Sequence, residues 1–377
     1  MRGLCLVEPF AYPILANRDV GFAGGAEIQL VLCARALRDA GWRVSMIVAD
    51  YGQPRTEDID GIEVHRCRLR YLNKGARRSF PVDTWELLRT LRRVGASVVI
   101  MSNPQSLLAT LALYRRLFGG RLIKVVVSTS DVEVLSDSLA SRLYRLGLKG
   151  IDQAVFQTEE QAEKGTLNFG IPGRVIPTFL PGPLAVPSEG PRDIDVLWVG
   201  GCDANKRPEL LLDLAETLPE ARFVMISAPR SDRGQYERVR ARAAALPNVE
   251  HLGFVLEEDS SEPFWNQLAR TYRRARLLVS TSRHEGFPNV FLEAWNAGAP
   301  VVSLNVDPDG IIRRFDLGRV SGTMEQLTAD VGSLLGVEEE REELAGNGRA
   351  YVARTHATEV VVRKYLDMLD EFEGRTG

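Results

Sequence analysis

The chain has 377 residues, 45% of them apolar and 26% charged, and its formal net charge is −3. That length exceeds what one hydrophobic core usually serves, so two domains of ordinary size are expected from a composition typical of soluble globular proteins. The absence of a Lys/Arg surplus argues against bulk nucleic-acid binding, and four scattered cysteines without a C-x-x-C pair fit a reduced, intracellular protein.

From Met1 to Glu8 the apolar run is too short for a signal peptide, and no later run reaches membrane-spanning length, so a cytoplasmic location is expected. Strand-like runs at 4–7, 44–48, 62–67, 98–101, 123–127 and 154–157 alternate with helical patterns. This rhythm predicts a parallel sheet with helices on both faces. Within it, Gly24 and Gly25 lie in a glycine-rich segment that follows the first strand and opens a helix predicted over 28–38. A loop at the carboxyl end of a first strand is where such sheets bind ligands, although Gly-Gly before a helix is commonly just a tight turn. Asn103-Pro104-Gln105 follows the fourth strand at the same edge. Asp131 ends the fifth strand and starts a helix, either as an N-cap or as a group facing a ligand crevice.

Basic clusters at Arg77-Arg78, 89–93, 115–116 and 142–149 all belong to the first half and alternate with Leu or Tyr on helical patterns. They suit an anionic membrane surface or anionic glycan, while solvated helix faces account for most of them. Peripheral contact with the inner membrane face is the corresponding expectation. The rhythm fades between Pro172 and Pro191, where proline density prevents a helix and suits a linker. The expected domains are therefore 1–180 and 192–358, with a linker at 181–191 and a terminal amphipathic helix within 359–377.

A second strand series runs through 196–199, 223–226, 249–255, 277–280 and 301–304, followed by helical patterns at 324–335, 338–355 and 360–372. Its first strand leads through Gly200-Gly201-Cys202-Asp203-Ala204-Asn205-Lys206-Arg207 into a helix, a geometry that suits phosphate. Glycines allow close backbone approach, the helix start offers N–H groups, and Lys206 adds a compact cation. A surface Lys at a helix start is the plainer alternative. Gly253 and Phe254 fall at the rim of the same sheet. Three Asp-x-Asp triplets, at 58–60, 193–195 and 307–309, border turns or strands and are expected to serve turn chemistry. With four scattered His residues, the chain offers no obvious metal-ligand set, and metal-independent chemistry is expected.

The stretch Ser282-Arg283-His284-Glu285-Gly286-Phe287-Pro288-Asn289-Val290-Phe291-Leu292-Glu293-Ala294 lies between an apolar strand and a helix that Asn289 is expected to cap. Its two acids enclose seven residues. The segment resembles the E-x7-E signature of retaining glycosyltransferases of family four, which are nucleotide-sugar-dependent enzymes of GT-B fold. The likeness includes the Gly286-Phe287-Pro288 loop and the Ala297-Gly298-Ala299-Pro300-Val301-Val302 strand entry. It is strongest over 196–322.

The resemblance implies an α/β protein of two Rossmann-like domains whose parallel sheets face a central cleft, with the C-terminal helix crossing back to the first domain. It implies that Glu285, with the Gly286-Phe287 backbone, meets the hydroxyls of the donor sugar, while Glu293 orients the ribose. Lys206 would meet the diphosphate, Gly24 and Gly25 would lie under the phosphates, and the backbone around Gly253 and Phe254 would hold the base. Pro288 and Asn289 complete the donor loop. The acceptor, a glycan, lipid-linked or small-molecule hydroxyl, would bind the first domain, and UDP- or GDP-sugars are the expected donors.

Two departures stand out. Where the family usually carries an Arg after the first Gly of the phosphate loop, this chain has Gly201, leaving Arg207 as a candidate for that charge. The family's cleft His is also absent, with Asp131 in its place. A sugar-nucleotide epimerase or hydrolase, or a non-catalytic nucleotide-sugar-binding subunit, are the alternative readings.

Overall fold

The computed structural model describes residues 3–17, 24–69, 80–133, 138–182, 190–230, 232–253 and 264–374. The chain divides into one unit of Met1–Phe179 with Thr358–Gly377, and a second of Leu180–Ala357.

The first unit is built on an eight-stranded sheet. Its strands are β1 (Gly3–Val7), β2 (Arg43–Val48), β3 (Thr56–Ile59), β4 (Ile62–Arg66), β5 (Val98–Met101), β6 (Arg121–Val125), β7 (Gln153–Phe156) and β8 (Gly173–Val175). Their order is β3-β4-β2-β1-β5-β6-β7-β8, all parallel except β3. Strand geometry sends alternate side chains to opposite faces. Leu4 and Leu6 accordingly join one buried cluster, and Cys5 and Val7 the other. The first cluster is covered by α1 (Tyr12–Leu15) and α2 (Gly25–Asp39). The second is covered by α3 (Phe80–Val94), α4 (Leu108–Phe118) and α5 (Leu139–Leu148), and α6 (Glu159–Phe169) leads to β8.

The second unit has six parallel strands: β9 (Ile194–Cys202), β10 (Phe223–Pro229), β11 (Val249–Leu252), β12 (Ala275–Ser280), β13 (Val301–Ser303) and β14 (Gly318–Val320). They lie in the order β11-β10-β9-β12-β13-β14. Around them lie α7 (Pro208–Thr217), α8 (Arg233–Ala244), α9 (Phe264–Arg274), α10 (Asn289–Asn296), α11 (Ile311–Arg314), α12 (Met324–Gly336) and α13 (Glu338–Thr355). Trp295 of α10 is fully buried and donates its indole N–H to the Leu317 carbonyl at 2.8 Å. That bond satisfies the polar end of the ring while its body fills the core.

The last helix, α14 (Thr358–Gly374), belongs to the first unit by packing. Val361, Tyr365, Met368 and Leu369 recur at helical spacing and sink into the cluster under β1 and β2. The Tyr365 ring stacks on Phe179 at 5.8 Å. The crossing out of the first unit falls at Phe179 and Leu180, where the Leu180 N–H donates to the His356 carbonyl of the returning chain at 2.9 Å.

Three features differ from the sequence expectations. The beginning of the proline-rich stretch is not linker, because Gly173–Val175 forms β8 on the edge of the first sheet. Gly173 is needed there, since a Cβ would sit 1.9 Å from the Phe156 ring. The crossing consequently precedes the expected linker at 181–191, of which 183–189 lie outside the described residues. Finally, the first sheet is mixed. Asp60 and Gly61, both at positive φ, make a two-residue hairpin between β3 and β4, and Asp58 accepts the Gly61 N–H at 3.0 Å.

Candidate functional site

In the second unit, β9 and β12 are hydrogen-bonded neighbours, so the loops leaving their carboxyl ends emerge side by side. They are laced together. Asn205 donates to the His284 carbonyl at 2.9 Å and accepts the His284 N–H at 3.1 Å, while the Arg283 N–H reaches the Asn205 carbonyl at 2.9 Å. Thr281 donates to the Lys206 carbonyl at 2.6 Å and accepts the Trp198 indole N–H at 3.0 Å. The first loop is shaped by Asp203, which accepts the Asn205 and Lys206 N–H groups, each at 2.9 Å.

This lacing brings together the two residues on which the sequence reading turned. Lys206 Nζ lies 2.5 Å from Glu285 Oε1, with the side chains 21% and 16% exposed. An ion pair that is only partly covered presents a cation and a carboxylate together at its open side. Such a pair can hold a polyhydroxylated, anionic ligand by its two chemistries at once.

Glu293 sits in α10, partly buried, and accepts the Tyr272 hydroxyl of α9 at 2.9 Å. Burial pushes its carboxyl up to about 7, against the stabilising Tyr272 bond. Glu285 and Glu293 therefore differ in surroundings: one faces a lysine on a loop, the other a buried phenol. Phe287, between them, packs its ring 4.8 Å from that of His356, which fixes the loop over the buried end of α13. The cap position of α10 is Pro288, and Asn289 is its first helical residue, contrary to the expectation for Asn289. No acid occupies the first turn of α10, so its N-terminus keeps its partial positive charge.

Arg207 is placed differently from the diphosphate contact considered for it. It takes a left-handed conformation with φ 50° before α7, and its guanidinium donates to the Thr281 carbonyl at 2.6 Å, the Ser282 carbonyl at 3.2 Å and the Asn305 side chain. Its geometry is that of a brace for the β12 loop. The start of α7 is also a poorer anion site than its position suggested, because Pro208 brings no N–H and Glu209 adds negative charge to the first turn. Gly201 is the penultimate residue of β9, and Gly253 follows β11 with open space where a Cβ would lie. Phe254 lies outside the described residues.

In the first unit, Gly24 is the extended cap residue of α2 and Gly25 its first residue, so the helix starts three residues earlier than predicted. Asp131 is neither an N-cap nor open to a ligand. Ser128 caps the short 3-10 turn Thr129–Asp131. The Asp131 carboxylate is buried, accepting from Gln105 at 2.6 Å and pairing with Lys124 at 3.4 Å. The expected cleft-facing group is thus a buried carboxylate whose described partners are Gln105 and Lys124.

Lys124, fully buried, also donates to the Ser102 and Val125 carbonyls at 2.5 and 2.8 Å. Beside it Glu8, directly after β1, is fully buried and accepts from the Ser102 hydroxyl and from the Asn103 N–H at 3.3 Å. Burial, with the charge of Glu27, raises the Glu8 carboxyl to about 8. The sequence reading missed both residues, although a lone Lys inside the apolar run Leu122 to Val127 was a visible signal.

The three Asp-x-Asp triplets serve structure. The first makes the hairpin turn. Asp193 pairs with Arg274 at 2.6 Å and Arg222 at 2.9 Å, and Asp195 with Arg276 at 2.9 Å. Asp307 accepts the Ile312 N–H at 2.8 Å and pairs with Arg313. Among the described residues no group of three or more His, Cys, Asp or Glu could hold a metal ion, and no helix is long and apolar enough to cross a membrane.

Two units, each a largely parallel sheet flanked by helices with polar side chains gathered at the carboxyl ends of its strands, define an α/β protein of doubly wound, two-domain type. Comparison with known proteins narrows this. Residues 24–178 match the family described as Glycosyl transferase 4-like domain, and 193–335 match Glycosyl transferases group 1. A D-inositol 3-phosphate glycosyltransferase from Mycobacterium sp. (strain KMS) is 29% identical over 169 residues, covering 41% of this chain and 37% of the relative's own length. Sucrose-phosphate synthase from Thermosynechococcus elongatus superimposes with a TM-score of 0.79 at 18% identity over 100% of both chains. HepE of Anabaena, solved in complex with UDP and glucose, gives 0.73 at 14% identity over 98% of this chain and 100% of its own. The chain belongs to the glycosyltransferases of GT-B type.

Proposed function

We propose that this protein transfers a sugar from a nucleoside diphosphate donor, UDP- or GDP-linked, to a hydroxyl of a glycan, lipid-linked or small-molecule acceptor, with retention of configuration and without a metal ion. The observation that carries the reading is the contact between Lys206 and Glu285 at the joined carboxyl ends of β9 and β12. Departure of the diphosphate places negative charge on phosphate oxygens and positive charge on the sugar, so a site needs donors at one and acceptors at the other. Lys206 supplies the first and Glu285 the second, while Glu293 takes the ribose hydroxyls. The bond from the anomeric carbon to the diphosphate oxygen breaks as the bond to the acceptor oxygen forms on the same face. The acceptor's proton passes to the leaving phosphate, so no side chain need act as nucleophile. The UDP and glucose in HepE support a nucleotide-sugar donor of this kind.

The test is a panel of UDP-, GDP- and ADP-sugars assayed with Glu285→Gln and wild type, following product configuration by proton NMR. Loss of transfer with nucleoside diphosphate binding kept, and a retained anomeric configuration, is expected. An inverted product, or full activity in the variant, refutes the mechanism, and a rate that falls with chelator refutes metal independence.

Membrane contact is the second part of the proposal. On the outer faces of α3, α4 and α5, Trp85, Leu117 and Leu146 are 69%, 59% and 62% exposed. Arg89, Arg116 and Arg142 are exposed beside them, and α4 and α5 contain no acid. Apolar side chains set among arginines suit the headgroup region of an anionic bilayer. Co-sedimentation with phosphatidylglycerol vesicles, lost in Trp85→Ser, is expected. Equal recovery with phosphatidylcholine contradicts it.

A further inference from the structure

In the first unit's sheet the chain winds outward from β1 in both directions, through β2 and β4 on one side and through β5, β6 and β7 on the other. The reversal falls beside β1, and the crevice beyond the carboxyl ends of strands at such a point is where open α/β sheets bind ligands. The loop after β1 lies at this point. It adjoins the loop after β2 through the Ala49 N–H, which donates to the Pro9 carbonyl at 2.9 Å.

These two loops hold a pair of aromatic rings face to face. Tyr12, the first residue of α1, is 1% exposed, and the Tyr51 ring stacks on it at 5.7 Å with 21° between the planes. Tyr51 is itself 37% exposed, so the uncovered part of its ring is the side turned away from Tyr12. Phe10, on the other loop, is 39% exposed, and both loops thus put aromatic surface into solvent. The Tyr51 ring belongs to neither buried cluster of the unit, yet its loop is braced from within. Gln53, 2% exposed, accepts the Tyr51 N–H at 2.6 Å and donates to the Ala49 carbonyl at 2.7 Å. The result is an aromatic shelf of fixed orientation. Carboxyl groups stand beside it: burial raises the Tyr51 phenol above its ordinary value, and the charges of Glu27 and Glu8 add to the rise.

A rigid aromatic face beside carboxyl groups suits one class of ligand. A pyranose lays the C–H bonds of one face on such a ring and turns its hydroxyls to acids, whereas an acyclic polyol has the hydroxyls without the face. We propose that the open side of Tyr51 is the platform on which a pyranose ring of the acceptor stacks, so that the acceptor is a sugar rather than an acyclic hydroxyl compound. The assignment rests on the glycosyl-transfer reading of the chain and narrows its acceptor.

Saturation-transfer NMR and initial-rate kinetics with the methyl pyranosides of glucose, galactose, mannose and N-acetylglucosamine test it, with sorbitol and glycerol as acyclic controls and UDP-, GDP- and ADP-glucose as donors. At least one pyranoside is expected to bind with its ring C–H protons saturated and to accept the transferred sugar, while the polyols do neither. Tyr51→Leu, which keeps apolar bulk but loses the flat face, is expected to raise that acceptor's KM about five- to tenfold with kcat within about twofold, and Tyr51→Trp to keep the wild-type KM. Unchanged melting temperatures establish that the variants fold, and the comparison of pyranosides with polyols needs no variant. Polyols used as readily as pyranosides, a wild-type KM in Tyr51→Leu, or no pyranoside bound by wild type overturns the platform. Tyr51-dependent pyranoside binding without transfer from any donor leaves the platform standing and overturns the glycosyl-transfer reading, a separate outcome.

Discussion

Glu293→Gln separates what this residue does for the fold from what it does for a ligand. The Glu293 carboxyl is raised from an ordinary value of 4.5 to about 7 because burial disfavours its charge. Between those two values the folded chain holds a proton that the unfolded chain has released. Stability from this group is therefore fully present below pH 4.5 and is lost as pH rises through 7. A difference of roughly 2.5 units at 1.36 kcal/mol each makes the loss about 3 kcal/mol at pH 8. Glutamine keeps an oxygen to accept the Tyr272 hydroxyl and has no charge to bury. The variant should match wild type near pH 4.5 and exceed it at pH 8, by on the order of 6–12 °C for a domain of this unit's size.

Differential scanning fluorimetry from pH 4.5 to 8.5 measures this. Glu8, raised to about 8 in the other unit, adds a slope of the same sign, but it is common to both proteins and cancels in their difference. A variant that melts with the wild-type pH slope, or below wild type at pH 8, refutes the argument. If Glu293 takes the ribose as proposed, the stabilised variant also binds nucleoside diphosphate more weakly, the expected exchange of stability against function.

Tyr365→Ala should destabilise the first unit by about 3–5 kcal/mol, since it empties a buried site between α14 and Phe179; chemical denaturation reads it, and a loss under 1 kcal/mol would contradict the packing of α14. Lys124→Met leaves the Asp131 carboxylate buried without its cation and should cost about 3–5 kcal/mol, with Asp131→Asn added to it restoring part; equal stability of the single variant counts against the ion pair. Arg207→Ala removes donors from the Thr281 and Ser282 carbonyls and should lower the second unit's stability by about 2–3 kcal/mol and slow transfer; an unaltered melt would show that the β12 loop needs no brace.

The parts of this protein that local pattern determines were legible in the sequence. Most of the apolar runs became interior strands of a sheet, since such runs can only be buried on both faces; the run at 249–255, interrupted by Glu250 and His251, became the edge strand β11. The strands that were missed, β3, β8 and β14, are short edge segments carrying Glu57, Asp58, Arg174 and Arg319, whose one open side relaxes the demand for apolar residues. The crossing point was misplaced because prolines mark a conformation, whereas Phe179 and Leu180 part company by entering different cores. At the site, Lys206 and Glu285 could be read from their own loops. The bracing role of Arg207 could not, because which carbonyl lies beside an arginine depends on strand order, and the pairing of Asp131 with Lys124 could not, because it joins a buried strand to the turn that follows it.

If the joined loops of β9 and β12 hold the donor, a crystal structure with a bound nucleoside diphosphate sugar will show phosphate oxygens within hydrogen-bonding distance of Lys206 Nζ, sugar hydroxyls on Glu285 and ribose hydroxyls on Glu293. A donor bound elsewhere in well-defined density, with Lys206 and Glu285 still paired to each other and touching no ligand atom, would contradict it.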